Sequence, residues 1–145
     1  MNSTATAAIE VACDPKTAFS VFTDDIGRWW RPGTYYWNDP ERGAEMRFDG
    51  QRLVEVYDTA TGEGFEIGTV TVWDPPERLV FGWRIADWPP GVSTEVDVRF
   101  AATDTGTRVT IEHRGWDQFP DGPAKATGYG RGWDELLAMF AERAA

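Results

Sequence analysis

His113 is the only histidine in this chain, and it stands near the end of a strand-like run, GTRVTIEHRGW. Side chains alternate along a strand, so Val109, Ile111 and His113 share one face, the inward one if the two aliphatic residues are core. An imidazole there could bind a ligand or carry a proton near neutral pH, with Tyr129 as the second member of an acid–base pair. The plain alternative is a hydrogen-bonded structural histidine. Glu112 is out of phase with it and reads as solvated. A serine triad would have to join His113 to Ser3, Ser20 or Ser93, and none of these lies in a nucleophile motif. Cys13 is the lone cysteine and cannot form an internal disulfide; it reads as a small buried thiol. One histidine and one cysteine far apart do not supply the usual nitrogen and sulfur ligands of a metal, and no EF-hand spacing or Gly-rich phosphate loop is present. No metal or cofactor is expected.

The aromatic residues carry the stronger signal. Eight Trp, eight Phe and four Tyr make up 14% of the chain. Indole is an awkward core filler because its N–H needs a partner, so this number points to a wide interior or a ring-lined cavity. Trp29, Trp30, Trp83, Trp88, Trp116, Tyr129 and Trp133 come from separate segments, and with Phe48, Phe81 and His113 they form the candidate lining of a ligand cavity. Planar rings suit a flat apolar molecule. Ordinary core packing is the competing reading for each ring.

The elements that must bring these residues together follow from periodicity. Ala7, Ile9 and Val11 alternate with Ala8 and Glu10, a first strand. Asp14-Pro15 is a helix start, the carboxylate capping free N–H groups and proline fitting the first turn. Ala18, Phe19 and Phe22 follow at helical spacing. A second short helical turn over residues 24–30 ends at Arg31-Pro32-Gly33. From Gly43 onward the pattern is that of strands: residues 46–49, a turn at Gly50-Gln51, then 53–57. Residues 59–64 read as a polar loop. The stretch GTVTVWDPPERLVFGW, residues 68–83, reads as an antiparallel hairpin broken at Pro75 and Pro76, which cannot donate to a sheet ladder. Phe81 and Trp83 share a face; the facing of Trp73 depends on whether Gly68 introduces a bulge. Residues 87–91, DWPPG, read as a rigid exposed loop. Val96, Val98 and Phe100 oppose Glu95, Asp97 and Arg99 in the next strand, and Asp104-Thr105-Gly106 turns into the strand of His113.

A final helix begins near Asp121-Gly122-Pro123. Trp133, Leu136, Leu137, Phe140 and Ala141 form one apolar stripe, which Tyr129 extends. Gly128, Gly130 and Gly132 each cost a helix interior about 1 kcal/mol relative to alanine. Either the helix starts after them, or its first turns are kept thin and leave a volume beside Tyr129 and Trp133. The expected architecture is α+β: a curved antiparallel sheet of about six to seven strands wrapped around a long C-terminal helix, with two short helices after the first strand.

Length and charge set the class. One domain over residues 1–145 is expected, large enough for a core without staples. The net charge of −10 repels phosphate backbones and anionic lipid, so neither nucleic acid nor a membrane surface is an expected partner. No signal-like segment or long apolar run occurs, and a cytoplasmic location is the default reading.

The order of these elements resembles the START-like superfamily (SRPBCC, the birch-pollen-allergen helix-grip fold), within it the branch named after the activator of heat-shock-protein-90 ATPase. Four segments carry the likeness: residues 7–22 with Asp14-Pro15, the hairpin with DPPERLVFGW, GTRVTIEHRGW at 106–116, and Gly132-Trp133 followed by Leu136-Leu137. Two features depart from it: Gly43-Ala44 where relatives often have a double glycine, and the aromatic loop Tyr35-Tyr36-Trp37. The resemblance implies a cavity between sheet and final helix, used across the superfamily for small apolar or aromatic molecules, and does not imply one chemistry; binding without catalysis is the function expected here. A small cyclase-like enzyme using His113 and Tyr129, and a chaperone-interacting module, are the alternatives. The oligomeric state is open, a homodimer included.

Overall fold

A computed structural model describes residues 4–31 and 36–145. Ser3, Pro32, Gly33 and Tyr35, named above, lie outside the described residues. Strand β1 (Ala5–Val11) leads through the Asp14 cap into α1 (Pro15–Asp24), and α2 (Ile26–Trp29) follows after one residue. The cap is made as expected: an Asp14 carboxylate oxygen accepts the Thr17 N–H at 2.8 Å. Six strands then run in succession: β2 (Glu45–Asp49), β3 (Arg52–Asp58), β4 (Glu63–Asp74), β5 (Arg78–Trp83), β6 (Thr94–Thr103) and β7 (Gly106–Arg114). A 3₁₀ turn at Trp116–Gln118 leads into α3 (Gly122–Ala144). The seven strands form one sheet in the order β1-β7-β6-β5-β4-β3-β2, every neighbour antiparallel.

This is the α+β architecture expected from the periodicity. β4 starts earlier than its side chains suggest, because Glu63 and Gly64 already pair with Asp58 and Val56 and only the backbone ladder defines the strand there. The pairing of β3 with β4, and of β4 with β5, is interrupted by register shifts. Gly68 sits between them, where a β-carbon would collide with the Gly82 carbonyl. Bulges and a close backbone approach bend a sheet, and this bend gives the concave face that receives α3. Trp73 shares a face with its cross-strand partner Leu79, so it points to the concave side, against Phe19 at 5.3 Å and Phe48 at 6.1 Å. It lies at the strand's end and is 47% exposed.

On the outer face of β6, Asp97 is buried under arginines, where alternation alone would leave it solvated. Arg78 grips it with two bonds of 3.1 and 2.9 Å, and Arg114 adds one of 2.6 Å. Burial works against the charge, but these bonds win and hold its carboxyl down to about 2.

The helix α3 is continuous through Gly128, Gly130 and Gly132, so a later start is ruled out. Packing, not propensity, sustains it. α3 lies along β1, whose inward residues Ala5 and Ala7 are small, and a β-carbon at Gly130 would already be 3.5 Å from the Thr6 carbonyl. Further along, Leu136 and Leu137 are buried and Phe140 packs against Phe22 and Trp29. Among the described residues no helix is long and apolar enough to cross a membrane.

Candidate functional site

The helix rests on the β1 side of the sheet and leaves a space toward β3, β4 and β5. A cavity of about 440 Å³ lies there. Lys125, Gly128, Tyr129, Gly132, Trp133 and Leu136 of α3 border it, positions separated by three or four residues and therefore on one helical stripe. Gly128 and Gly132 are the reason for the space. A β-carbon at Gly128 would touch nothing within 4 Å, and one at Gly132 would meet only the ring of Tyr36. The sheet contributes Glu55, Ile67 and Trp83, the end of α2 contributes Trp30, and two loops supply Tyr36, Trp37, Asn38, Ile85 and Asp87.

Four of the ten residues singled out for the lining border this cavity: Trp30, Trp83, Tyr129 and Trp133. Their rings form one contact group. Trp30 stacks on Trp83 at 6.0 Å and meets Trp133 edge-on at 5.8 Å, and Trp83 donates its N–H to the Tyr129 hydroxyl at 3.2 Å. The other six do not border it. Trp29 is core, its N–H shared between the Val21 and Phe22 carbonyls. Phe81 and Phe48 pack on one another at 5.6 Å toward the open end of the sheet. Trp88 is not on an exposed loop tip as the DWPPG run suggests. It is buried against Trp116 and Phe119, while its neighbours Asp87, Pro89 and Pro90 stay exposed. A single helix cannot cover the inner face of so curved a sheet, and these rings fill what it leaves at both ends.

His113 faces inward as alternation predicts, but it is fully buried behind the cavity wall. The Trp133 N–H donates to its Nδ1 at 3.0 Å, so that nitrogen must be the acceptor and the proton resides on Nε2. Nε2 lies 2.6 Å from the Thr94 hydroxyl, which passes its own proton to the Trp83 carbonyl at 3.2 Å. Burial pushes the His113 pKa down to about 3, so the ring is neutral at physiological pH. Both nitrogens are engaged, and neither is presented to a molecule in the cavity. The His113 ring also meets the Tyr129 ring, centroid to centroid at 5.1 Å. What the residue does is orient Trp133 and Trp83, two cavity walls, from behind. Cys13 is only partly buried at the end of β1, with burial raising its thiol pKa, and it is remote from the cavity.

The polar residues of the cavity escape a reading of residue patterns. Glu55 lies on β3 in phase with Leu53 and is completely buried. One of its oxygens accepts the backbone N–H of Asn38 at 2.7 Å and the Asn38 side-chain amide at 3.3 Å. The other accepts the Asp39 N–H at 3.0 Å and the Tyr57 hydroxyl at 2.7 Å. Burial and this carboxylate together push the Tyr57 pKa up. Asn38 in turn accepts the Ala86 N–H at 2.8 Å. One carboxylate thus fastens the Tyr36–Asp39 loop to the sheet. The signal for Lys125 and Gly132 is present in the sequence, as offsets of four and three residues from Tyr129, and Gly128 stands three and four residues from those two. No group of histidine, cysteine or carboxylate side chains among the described residues is arranged to hold a metal ion.

Comparison with known proteins agrees with this architecture. Mll3558 from Rhizobium loti is similar at 27% identity and a TM-score of 0.67, covering 97% of this chain and 95% of that one. An AHSA1-like protein from Aeromonas hydrophila shares 22% identity with a TM-score of 0.65 over 97% of this chain and 90% of that one. The Aha1 protein of Colwellia psychrerythraea, solved as a dimer, shares 17% identity with a TM-score of 0.66 over 97% and 95%. No curated protein matches in sequence. Residues 12–145 match the family described as activator of Hsp90 ATPase homolog 1-like protein, and the chain belongs to that family.

Proposed function

We propose that this protein binds a small, flat, mainly apolar molecule in the cavity between α3 and the sheet, and that it does so without chemistry of its own. The observation that carries this reading is the ring-lined space itself. Its volume of about 440 Å³ falls within the span of about 300–1,000 Å³ common for small-molecule sites. Trp30, Tyr36, Trp37, Trp83, Tyr129 and Trp133 provide apolar surface, and a few polar groups stand among them. The helix keeps this space open with glycines, each of which weakens it relative to alanine. The absence of a reachable base at His113 supports binding over turnover.

Tryptophan fluorescence tests this directly, because three indoles line the space together with Trp37. Titration with a panel of flat apolar compounds should give saturable quenching for at least one of them. Gly128→Phe, which places a ring where a β-carbon meets nothing, should remove that response while the fold persists. Absence of any response across the panel refutes the reading.

A further inference from the structure

One charged side chain of the cavity has no partner. Asp87, in the loop after β5, borders the cavity and is exposed, and its carboxylate has neither a hydrogen-bond donor nor an ion pair among the described residues. The cations around it are engaged elsewhere. Lys125, which also borders the cavity, holds its ammonium 3.5 Å from an Asp121 oxygen and 5.3 Å from the centre of the Phe119 ring. Arg84, three residues before Asp87, donates to the Trp88 carbonyl at 3.3 Å and lies 5.6 Å from the centre of the Phe65 ring.

Glu55 adds negative charge from within the wall. It has no exposed surface, so it acts on an occupant through its field and not by contact. Its four donors, two backbone N–H groups, an amide and a phenol, are all neutral. Arg42 lies over the Tyr57 ring, 4.4 Å from its centre, and makes no ion pair with Glu55. The half-buried rings of the lining, Tyr36 and Tyr129, favour the same kind of charge, because aromatic faces carry partial negative charge and attract an ammonium group. The Tyr129 hydroxyl accepts from Trp83 and still has both a proton and a lone pair, so it serves a donor or an acceptor alike. An anion, by contrast, would find only the ammonium that Lys125 already shares with Asp121.

We propose that the cavity selects a flat apolar molecule carrying a protonated amine, with the ammonium held by Asp87 beside the rings of Tyr36 and Tyr129. This rests on the binding function proposed above and adds the charge that the site reads.

Three naphthalenes of similar size separate the terms: 2-(aminomethyl)naphthalene, protonated at neutral pH, its uncharged isostere 2-ethylnaphthalene, and 2-naphthoate. Calorimetric titration of the whole chain at low salt should show the amine binding about tenfold more tightly than the hydrocarbon, the effect of one charge-assisted hydrogen bond. The carboxylate should bind weakest. Asp87→Asn, an isosteric change on an exposed loop residue, should cut the preference for the amine to about threefold or less. Ionic strength gives a readout on the unmodified protein. Raising it to about 1 M, where charges are screened beyond about 3 Å, should shrink the same preference. Equal affinity for amine and hydrocarbon overturns this inference and leaves the binding function intact. A preference for the amine that survives both Asp87→Asn and high salt removes Asp87 from the site and overturns the proposal, as does tightest binding of naphthoate. No binding of any of the three overturns both the proposal and the function on which it rests.

Discussion

His113 makes folding stability depend on pH, and its burial fixes the direction. The unfolded chain takes a proton on this imidazole near 6.5, whereas the folded ring, pushed down by burial, takes one only near 3. Above pH 6.5 neither state is protonated and the buried neutral ring carries no penalty. As the pH falls through 6.5 the unfolded state alone binds a proton. Stability is therefore lost on acidification, with a limiting slope of about 1.4 kcal/mol per pH unit, until the folded ring protonates near 3. Between pH 8 and pH 5 the loss amounts to about 2 kcal/mol. Against the ordinary 5–15 kcal/mol of a domain this is a large fraction, and with an m-value of about 2 kcal/mol/M it moves a urea midpoint by about 1 M. Because this is the sole histidine, one substitution isolates the effect. Asparagine at the position retains an acceptor for the Trp133 N–H; His113→Asn should be less stable at pH 8 but nearly flat down to pH 5. The ring protons of His113 in the folded protein should likewise show no titration in NMR spectra over that range. A wild-type midpoint that holds constant to pH 5, a variant with the same slope, or ring signals that titrate near 6.5 would each refute the reasoning.

Other expectations follow from single contacts. Trp133→Phe removes the donor to His113 Nδ1 and leaves a buried acceptor unpaired, so chemical denaturation should show a loss of about 1–3 kcal/mol. Gly68→Ala places a methyl group against the Gly82 carbonyl and should lower the melting temperature, whereas Gly128→Ala, with open space at its β-carbon, should raise stability by up to about 1 kcal/mol. Asp97→Asn breaks the charged bonds from Arg78 and Arg114 on the outer face. It should cost about 1–3 kcal/mol at neutral pH in urea unfolding and leave ligand titrations unchanged. Glu55→Gln keeps the shape but cannot accept from all four donors, so it should weaken the hold on the Tyr36–Asp39 loop. Faster amide exchange at Asn38 and Asp39 is the measurement that checks it.

Elements whose side chains alternate or recur at helical spacing are readable from the residue order itself. Val109, Ile111 and His113 face inward, Asp14 caps α1, and the stripe from Tyr129 to Phe140 turns toward the sheet. Each of these depends on the geometry of its own segment, and local geometry is what a residue pattern encodes. The start of β4 is hidden because its first residues are held by backbone pairing and carry no apolar signature. Trp88 is hidden for a related reason: its loop is composed like an exposed turn, and only the distant rings of Trp116 and Phe119 draw it inward.

The candidate site divides along the same line. Sequence alone determined that this chain has a helix thinned by glycines, a strand-borne sole histidine, a hairpin with wide rings, and more tryptophan than a small core readily absorbs. It left open which rings fill the interior and which line a space, because that depends on the bend of the sheet at Gly68 and the tilt of α3 onto β1. Tertiary structure decided that Trp30, Trp83, Tyr129 and Trp133 border the cavity while Trp29, Phe81 and Trp116 do not. It also turned His113 from a candidate acid–base group into a support for the wall, and Glu55 from an unremarked strand residue into the clasp of a loop. Hydrogen-bond saturation is the physical reason in both cases. A polar group's role is fixed by the partners that fill its donors and acceptors, and those partners come from segments that no spacing along the chain relates to it.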